Sequence, residues 1–302
     1  MHAVLPLVYL AAGWALVRLG LDWRRIMARA LSLVVIPIVI VFHVAGGNAA
    51  LVGMMLCALG WMLALFAIGH VLGRDPVDTL CFGYLNIGWF GLPVAATALG
   101  PQSVSLFTAF YIASSIVGNV LGPAWLLRHA RDGSAAGLPA RGASPSGLLR
   151  HAWRTPALRA LLAGLCLLPV GPWLGGHAGW LDEGARMLLG MLGMMVLGAW
   201  LAHATLGVAE LRSALGWFVL RAALSLLVLT LLWAVTSRFG RSPLQGQAGA
   251  VVLLSLLPPA ANIVVLETEA LRTGHSATRI ASASVWSIGA IALYVAWLHV
   301  GA

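Results

Sequence analysis

Apolar residues in this chain come in long blocks, not at the spacing of one buried helix face. Ten such blocks lie at roughly 3–19, 30–46, 51–72, 79–99, 103–127, 156–173, 185–205, 214–236, 247–271 and 277–300. About 20 apolar residues carry a helix across the hydrocarbon core of a bilayer. The short alternating segments of an outer-membrane barrel are absent. The pattern predicts an all-α polytopic membrane protein with ten transmembrane helices. The first block has no positive n-region before it, so it is read as a span and not as a secretory signal.

The segments between the blocks alternate in charge. Arg18, Arg24, Arg25 and Arg29 follow the first span, and Arg74 follows the third. Arg128, Arg131, Arg141, Arg150 and Arg154 crowd the longest loop; Arg212, Arg272 and Arg279 continue the series. The other side holds only Arg186, Arg238 and Arg241. Basic loops stay in the cytoplasm, which predicts both termini outside and a cell (inner) membrane location. The loop 131–154, rich in Gly, Ala, Ser and Pro, reads as a cytoplasmic linker between halves 1–130 and 155–302. Each half holds five spans. Five is odd, so two halves of one fold must be inverted across the membrane, the plan of many secondary transporters.

Two spans are interrupted. The fourth reads TLCFGYLNIGWFGLPVAATALG, with Asn86, Gly88, Gly91 and Pro93 close together. The ninth reads AGAVVLLSLLPPAANIVVLETEAL, with Pro258, Pro259 and Asn262. Glycine weakens a helix interior and proline removes a backbone hydrogen bond. Unwound backbone at membrane depth needs protein or a wet cavity around it. The two interruptions hold the same rank in their halves, which marks them as a binding site. If each span restarts at its proline, two half-helix N-termini face the midplane with free N–H groups. Asn86 and Asn262 add amides. Such a neutral site suits a small organic anion. Simple kinks and interhelical asparagine contacts would explain either span alone.

These residues resemble the auxin efflux carrier family in its short bacterial form, over nearly the whole chain. Asn86, Gly88, Gly91 and Pro93 fit the family's pattern in the fourth span, and LLPPAANIVVLETEAL matches its proline-then-asparagine segment. Ile87 and Trp89 stand where a polar and a phenyl residue are usual, and Glu267 and Glu269 follow Asn262 where the family is less acidic. The resemblance implies a bile-acid-symporter-like fold of scaffold and transport domains and an elevator-like carrier of carboxylates. Spans 4 and 9 would cross near the midplane, and the protein would form a homodimer through its scaffold.

Composition then narrows the alternatives. The chain is 61% apolar and 9% charged, where soluble domains carry about 25% charged residues. All 18 basic residues are arginine, and they serve topology, so the net charge of +9 does not point to nucleic acid. Cys57, Cys81 and Cys166 stand singly, without metal spacing, and no cofactor is implied. The acidic residues fall in loops or at span ends and no HExxH occurs, so the chain is not read as an enzyme. Proton coupling is favoured over sodium, which needs converging oxygen ligands. A bile-acid-type sodium symporter and a non-transporting scaffold or receptor are the alternatives. Trp89 lies inside the break and either lines the site or packs the scaffold. Glu267, roughly 7–8 Å beyond Asn262 along the axis, is either a proton-coupling acid or an exposed loop residue. Arg221 is read as snorkelling to the cytoplasmic surface. His43, His70 and His203 are read as interfacial.

Overall fold

A computed structural model describes residues 5–47, 50–73, 75–132, 153, 155–203, 207–240, 242–271, 273 and 275–300. The centre of the linker, with Arg141, Arg150 and Arg154, lies outside the described residues, as do Arg74, Arg241 and Arg272. Among the described residues the fold is helical and has no strands. In chain order the helices are α1 (Leu5–Arg18), α2 (Arg24–Ala45), α3 (Leu51–Leu72), α4 (Pro76–Gly83), α5 (Ile87–Ala98) and α6 (Pro101–Asp132). There follow α7 (Pro156–Cys166), α8 (Gly171–His203), α9 (Val208–Arg238), α10 (Ala248–Ser255), α11 (Ile263–Leu271) and α12 (Ser276–Val300). Among the described residues six stretches are long and apolar enough to cross a membrane: Arg24–Ala45, Leu51–Leu72, Gln102–His129, Leu168–Ala202, Val208–Arg238 and Ser276–Leu298.

The breaks fall where glycine, proline and asparagine predicted them. α4 starts on Asp75, whose Oδ1 accepts from the N–H of Asp78 at 2.8 Å, with Pro76 in the first turn. It ends at Tyr84, whose backbone is extended. α5 opens with a π-helical turn, Ile87–Gly91, and α2 contains another, Leu31–Val35. In each case a proline, Pro93 or Pro37, sits two residues past the turn. Proline has no N–H to donate and its ring pushes on the preceding turn; a wide turn absorbs the lost bond. α10 and α11 are separated by the unwound segment 256–262.

One loop expected from sequence is absent. The apolar blocks at 156–173 and 185–205 predict a connection over residues 174–184, which are GlyGly-rich and polar. Those residues are helical instead. α7 ends at Cys166, a short 3₁₀ turn covers Leu168–Val170, and α8 runs unbroken for 33 residues from Gly171. Pairs one turn apart support the exposed stretch: Asp182 bridges Arg186 at 2.7 Å, and the His177 ring stacks on Trp173. α7 has 11 residues, about 16 Å at 1.5 Å per residue, so α7 alone falls short of the hydrocarbon core.

The helices pack as two groups. α1 and α2 pack on α8, and α7 packs on α2 and also reaches α6; α3, α4, α6 and α9 to α12 pack on one another. α5 lies between the groups, against both α8 and α6. Small residues make the first group tight. A Cβ at Gly198 would overlap the Leu10 carbonyl, and one at Gly13 the Met195 carbonyl. Glycines in membrane helices permit this backbone approach. In the second group the Trp61 indole N–H donates to Ser225 Oγ at 3.0 Å, joining α3 to α9 in the core.

Candidate functional site

The two unwound segments meet. Leu85 and Pro259 form an antiparallel bridge. The Asn86 N–H donates to the Pro258 carbonyl at 2.8 Å, and the Ala260 N–H donates to the Tyr84 carbonyl at 2.9 Å. Each break thus supplies backbone partners to the other, which answers the cost of unwound chain away from water.

Both asparagines occupy the position just before a helix restarts. Neither helix restarts at its proline, as the sequence suggested. Asn86 caps α5: its Oδ1 accepts from the Trp89 N–H at 3.3 Å, and Pro93 sits more than a turn further on. Asn262 precedes α11, and its carbonyl accepts from Val265 and Leu266. Its side-chain Nδ2 donates to the Tyr84 hydroxyl at 2.8 Å and, at 3.4 Å, to Asn119 Oδ1. Asn119 Nδ2 in turn donates to the Ser115 carbonyl at 2.7 Å. Asn262 therefore directs its donors to the Tyr84 hydroxyl after α4 and to the Asn119 amide of α6, whereas Asn86 commits its oxygen and, among the described residues, keeps its NH₂ for another partner.

A cavity of about 150 Å³ opens beside this crossing. Asn86, Gly88, Trp89 and Asn262 line it together with Tyr84, Tyr111, Ser114, Ser115 and Asn119; Ser32 of α2 and Pro156 of α7 complete the wall. It lies between the two helix groups, and among the described residues none that lines it is charged. Gly88 is required by the α6 side, because a Cβ there would fall inside the Tyr111 ring. Gly118 has the same relation to the Tyr84 ring.

The other expected site residues lie elsewhere. Gly91 packs on Phe107 and Leu257, and Pro93 packs on Gly193 of α8. Pro258 contributes its carbonyl to the bridge, and Pro259 faces a different, larger cavity. Glu267 is neither exposed nor at this cavity. It is 0% exposed. Its carboxylate accepts from Thr273 Oγ1 at 2.6 Å, from the N–H groups of His275 and Ser276 at 2.9 Å each, and from Ser276 Oγ. It fastens the turn after α11 and caps α12. The side chain of Glu269 lies outside the described residues. Arg221 does not snorkel; it is 3% exposed and faces the larger cavity. His70 is exposed, His43 is half-buried, and the His203 side chain is outside the described residues.

Sequence reasoning missed Tyr84, Tyr111, Ser115 and Asn119. For Asn119 a signal existed: it is an amide in the middle of an apolar span, and intramembrane polar residues face the protein interior. The tyrosines carry no such mark, because aromatic rings are ordinary in membrane helices. No protein-family model matches this chain, and no curated protein matches it at a significant level.

Proposed function

We propose that this chain is a secondary carrier of a small organic anion, of the auxin efflux carrier type, built from ten crossing segments in two inverted halves. The observation that carries the reading is the antiparallel pairing of the two helix breaks, each followed by an asparagine at a helix restart. The breaks belong to the fourth segment of the first half and the fourth of the second. In this reading α4 with α5, and α10 with α11, each count as one crossing, and α7 crosses with the turn that follows it. The group around α8 is the scaffold; the second group carries the site and moves past it. The position of the cavity between the groups supports that division, since relative motion would expose it to each side in turn.

The neutral lining fits the cargo. The Asn86 NH₂, the Tyr84 hydroxyl and the N-terminus of α5 offer donors to a carboxylate without a permanent cation. An anion held by neutral donors leaves more readily than one held by an arginine fork. The carrier works without a cofactor; its coupling ion is a proton rather than sodium.

Uptake by proteoliposomes tests this directly. Radiolabelled mono- and dicarboxylates should enter vesicles containing the purified protein, faster with an imposed pH gradient and indifferent to a sodium gradient. An absence of flux across the whole panel would leave a scaffold or receptor as the better reading. Acceleration by sodium alone would favour the bile-acid-type symporter.

The arginine distribution gives the orientation: both termini outside, the 128–155 loop in the cytoplasm. With Cys57, Cys81 and Cys166 replaced, a cysteine at Gln102 should react with an impermeant maleimide added to intact cells, and one at Arg141 should not. Labelling in the reverse pattern would invert the assignment.

A further inference from the structure

The larger cavity, about 430 Å³, lies inside the second helix group and shares no lining residue with the smaller one. It is bounded by α4, α9 and α12, and touches the crossing through Pro259. Arg221 of α9 lines it, buried, with no hydrogen-bond partner for either Nη1 or Nη2 among the described residues. Ser282 Oγ of α12 lines the same cavity, also buried and also without a partner.

The remaining charges of this cavity do not answer Arg221. Arg279 is bound to Asp75, at 2.9 Å, and to Asp78. Glu210 is exposed and sits 11 residues earlier on α9, roughly 16 Å away along the axis. The Phe218 ring lies 5.8 Å from the Arg221 guanidinium carbon. That contact supplies no hydrogen-bond acceptor to the guanidinium N–H groups. A buried cation without a counter-charge is costly. Its planar fork matches a carboxylate or phosphate. Trp217, Phe218 and Phe82 give the cavity apolar walls.

We propose that this cavity is a second anion site, which takes an amphiphilic oxyanion: its carboxylate or phosphate head on Arg221 and Ser282, its apolar body against Trp217 and Phe218. The site is independent of the transport reading. Because Pro259 belongs both to its wall and to the bridge between the breaks, an occupant rests against the back of the crossing.

The test uses the full chain in nanodiscs and measures binding, not transport. Benzoate is the free-solute probe, titrated in neutral phosphatidylcholine; phosphatidylglycerol, added to the same discs, is the lipid probe. The wild type should bind at least one of them, with a raised unfolding midpoint. Arg221→Gln should weaken that binding roughly tenfold or more. Its unliganded form should melt no lower than the wild type, because the unpaired charge is gone. Arg221→Lys, which keeps the charge and loses the fork, and Ser282→Ala should each weaken binding several-fold. Asn86→Ala should leave the Arg221-dependent part of that binding unchanged. Benzoate alone binding in this pattern makes the occupant a solute; phosphatidylglycerol alone makes it a lipid. The proposal is overturned if neither probe binds, or if binding is the same in the Arg221 and Ser282 variants as in the wild type. It is equally overturned if binding is lost in Asn86→Ala but kept in Arg221→Gln. Should Arg221→Gln fail to fold, Arg221→Lys and Ser282→Ala decide by the same measurement.

Discussion

Glu267→Ala is expected to destabilise the protein by about 3 kcal/mol or more, read as a lower unfolding midpoint in detergent at a fixed scan rate. The reason is geometric. The carboxylate is fully buried and accepts four hydrogen bonds, two from hydroxyls and two from the backbone N–H groups of His275 and Ser276. Its removal orphans the first N–H groups of α12, which lie at the positive end of the helix dipole, where an anion is favoured. Hydrogen bonds to a charged acceptor are worth about 1.5–3 kcal/mol each, although members of one network do not add. Glu267→Gln keeps the shape and one acceptor oxygen, so about 1–2 kcal/mol should be lost. The measurement also separates two roles. An anchor changes stability and leaves the pH dependence of uptake intact. If Glu267→Gln melted like the wild type and uptake no longer responded to a pH gradient, Glu267 would be the coupling acid.

Asn86→Ala and Asn262→Ala should each weaken substrate binding by about 1–3 kcal/mol, or roughly five- to 150-fold. The two losses should have different origins. Asn86 keeps its NH₂ for the cavity and uses its oxygen to cap α5. Its loss therefore removes a donor to the anion and a helix cap worth about 0.5–2 kcal/mol of stability. Asn262 spends its donors on Tyr84 and Asn119. Its loss lets the Tyr84 ring and the α6 amide reorient, so binding falls because the site is less well ordered. Tyr84→Phe should reproduce much of the Asn262→Ala loss and little of the Asn86→Ala loss. The double asparagine variant should lose less than the sum, because both serve one ligand. Substrate affinity is measured by competition in proteoliposomes, stability by unfolding of the same preparations. Unchanged affinity with lowered stability in both single variants would make the asparagines interhelical ties and remove the chemistry from the crossing.

The long apolar blocks made the chain helical and membrane-embedded before any contact was known, since lipid leaves no other use for them. The breaks were equally legible. Gly88, Gly91, Pro93, Pro258 and Pro259 weaken a regular helix, and an asparagine beside each break is costly in lipid without a partner. Element ends were less so: the helix through 174–184 survives on Asp182–Arg186 and Trp173–His177 pairs that a glycine count overrides.

Which side chains meet was decided only by the tertiary structure. In a soluble helix, a polar face separates outside from inside. In lipid both faces are apolar, so periodicity carries no such mark, and the cavity's tyrosines look like any other aromatic residue. The decisive pairs are also remote. Asn262 meets Tyr84 across 178 residues and Asn119 across 143. Arg221 and Glu267 show the same limit from the other direction. Each sits close enough to a span end to read as solvated, and each is buried: α4 and α12 wall in Arg221, and the turn after α11 with the first turn of α12 folds back over Glu267.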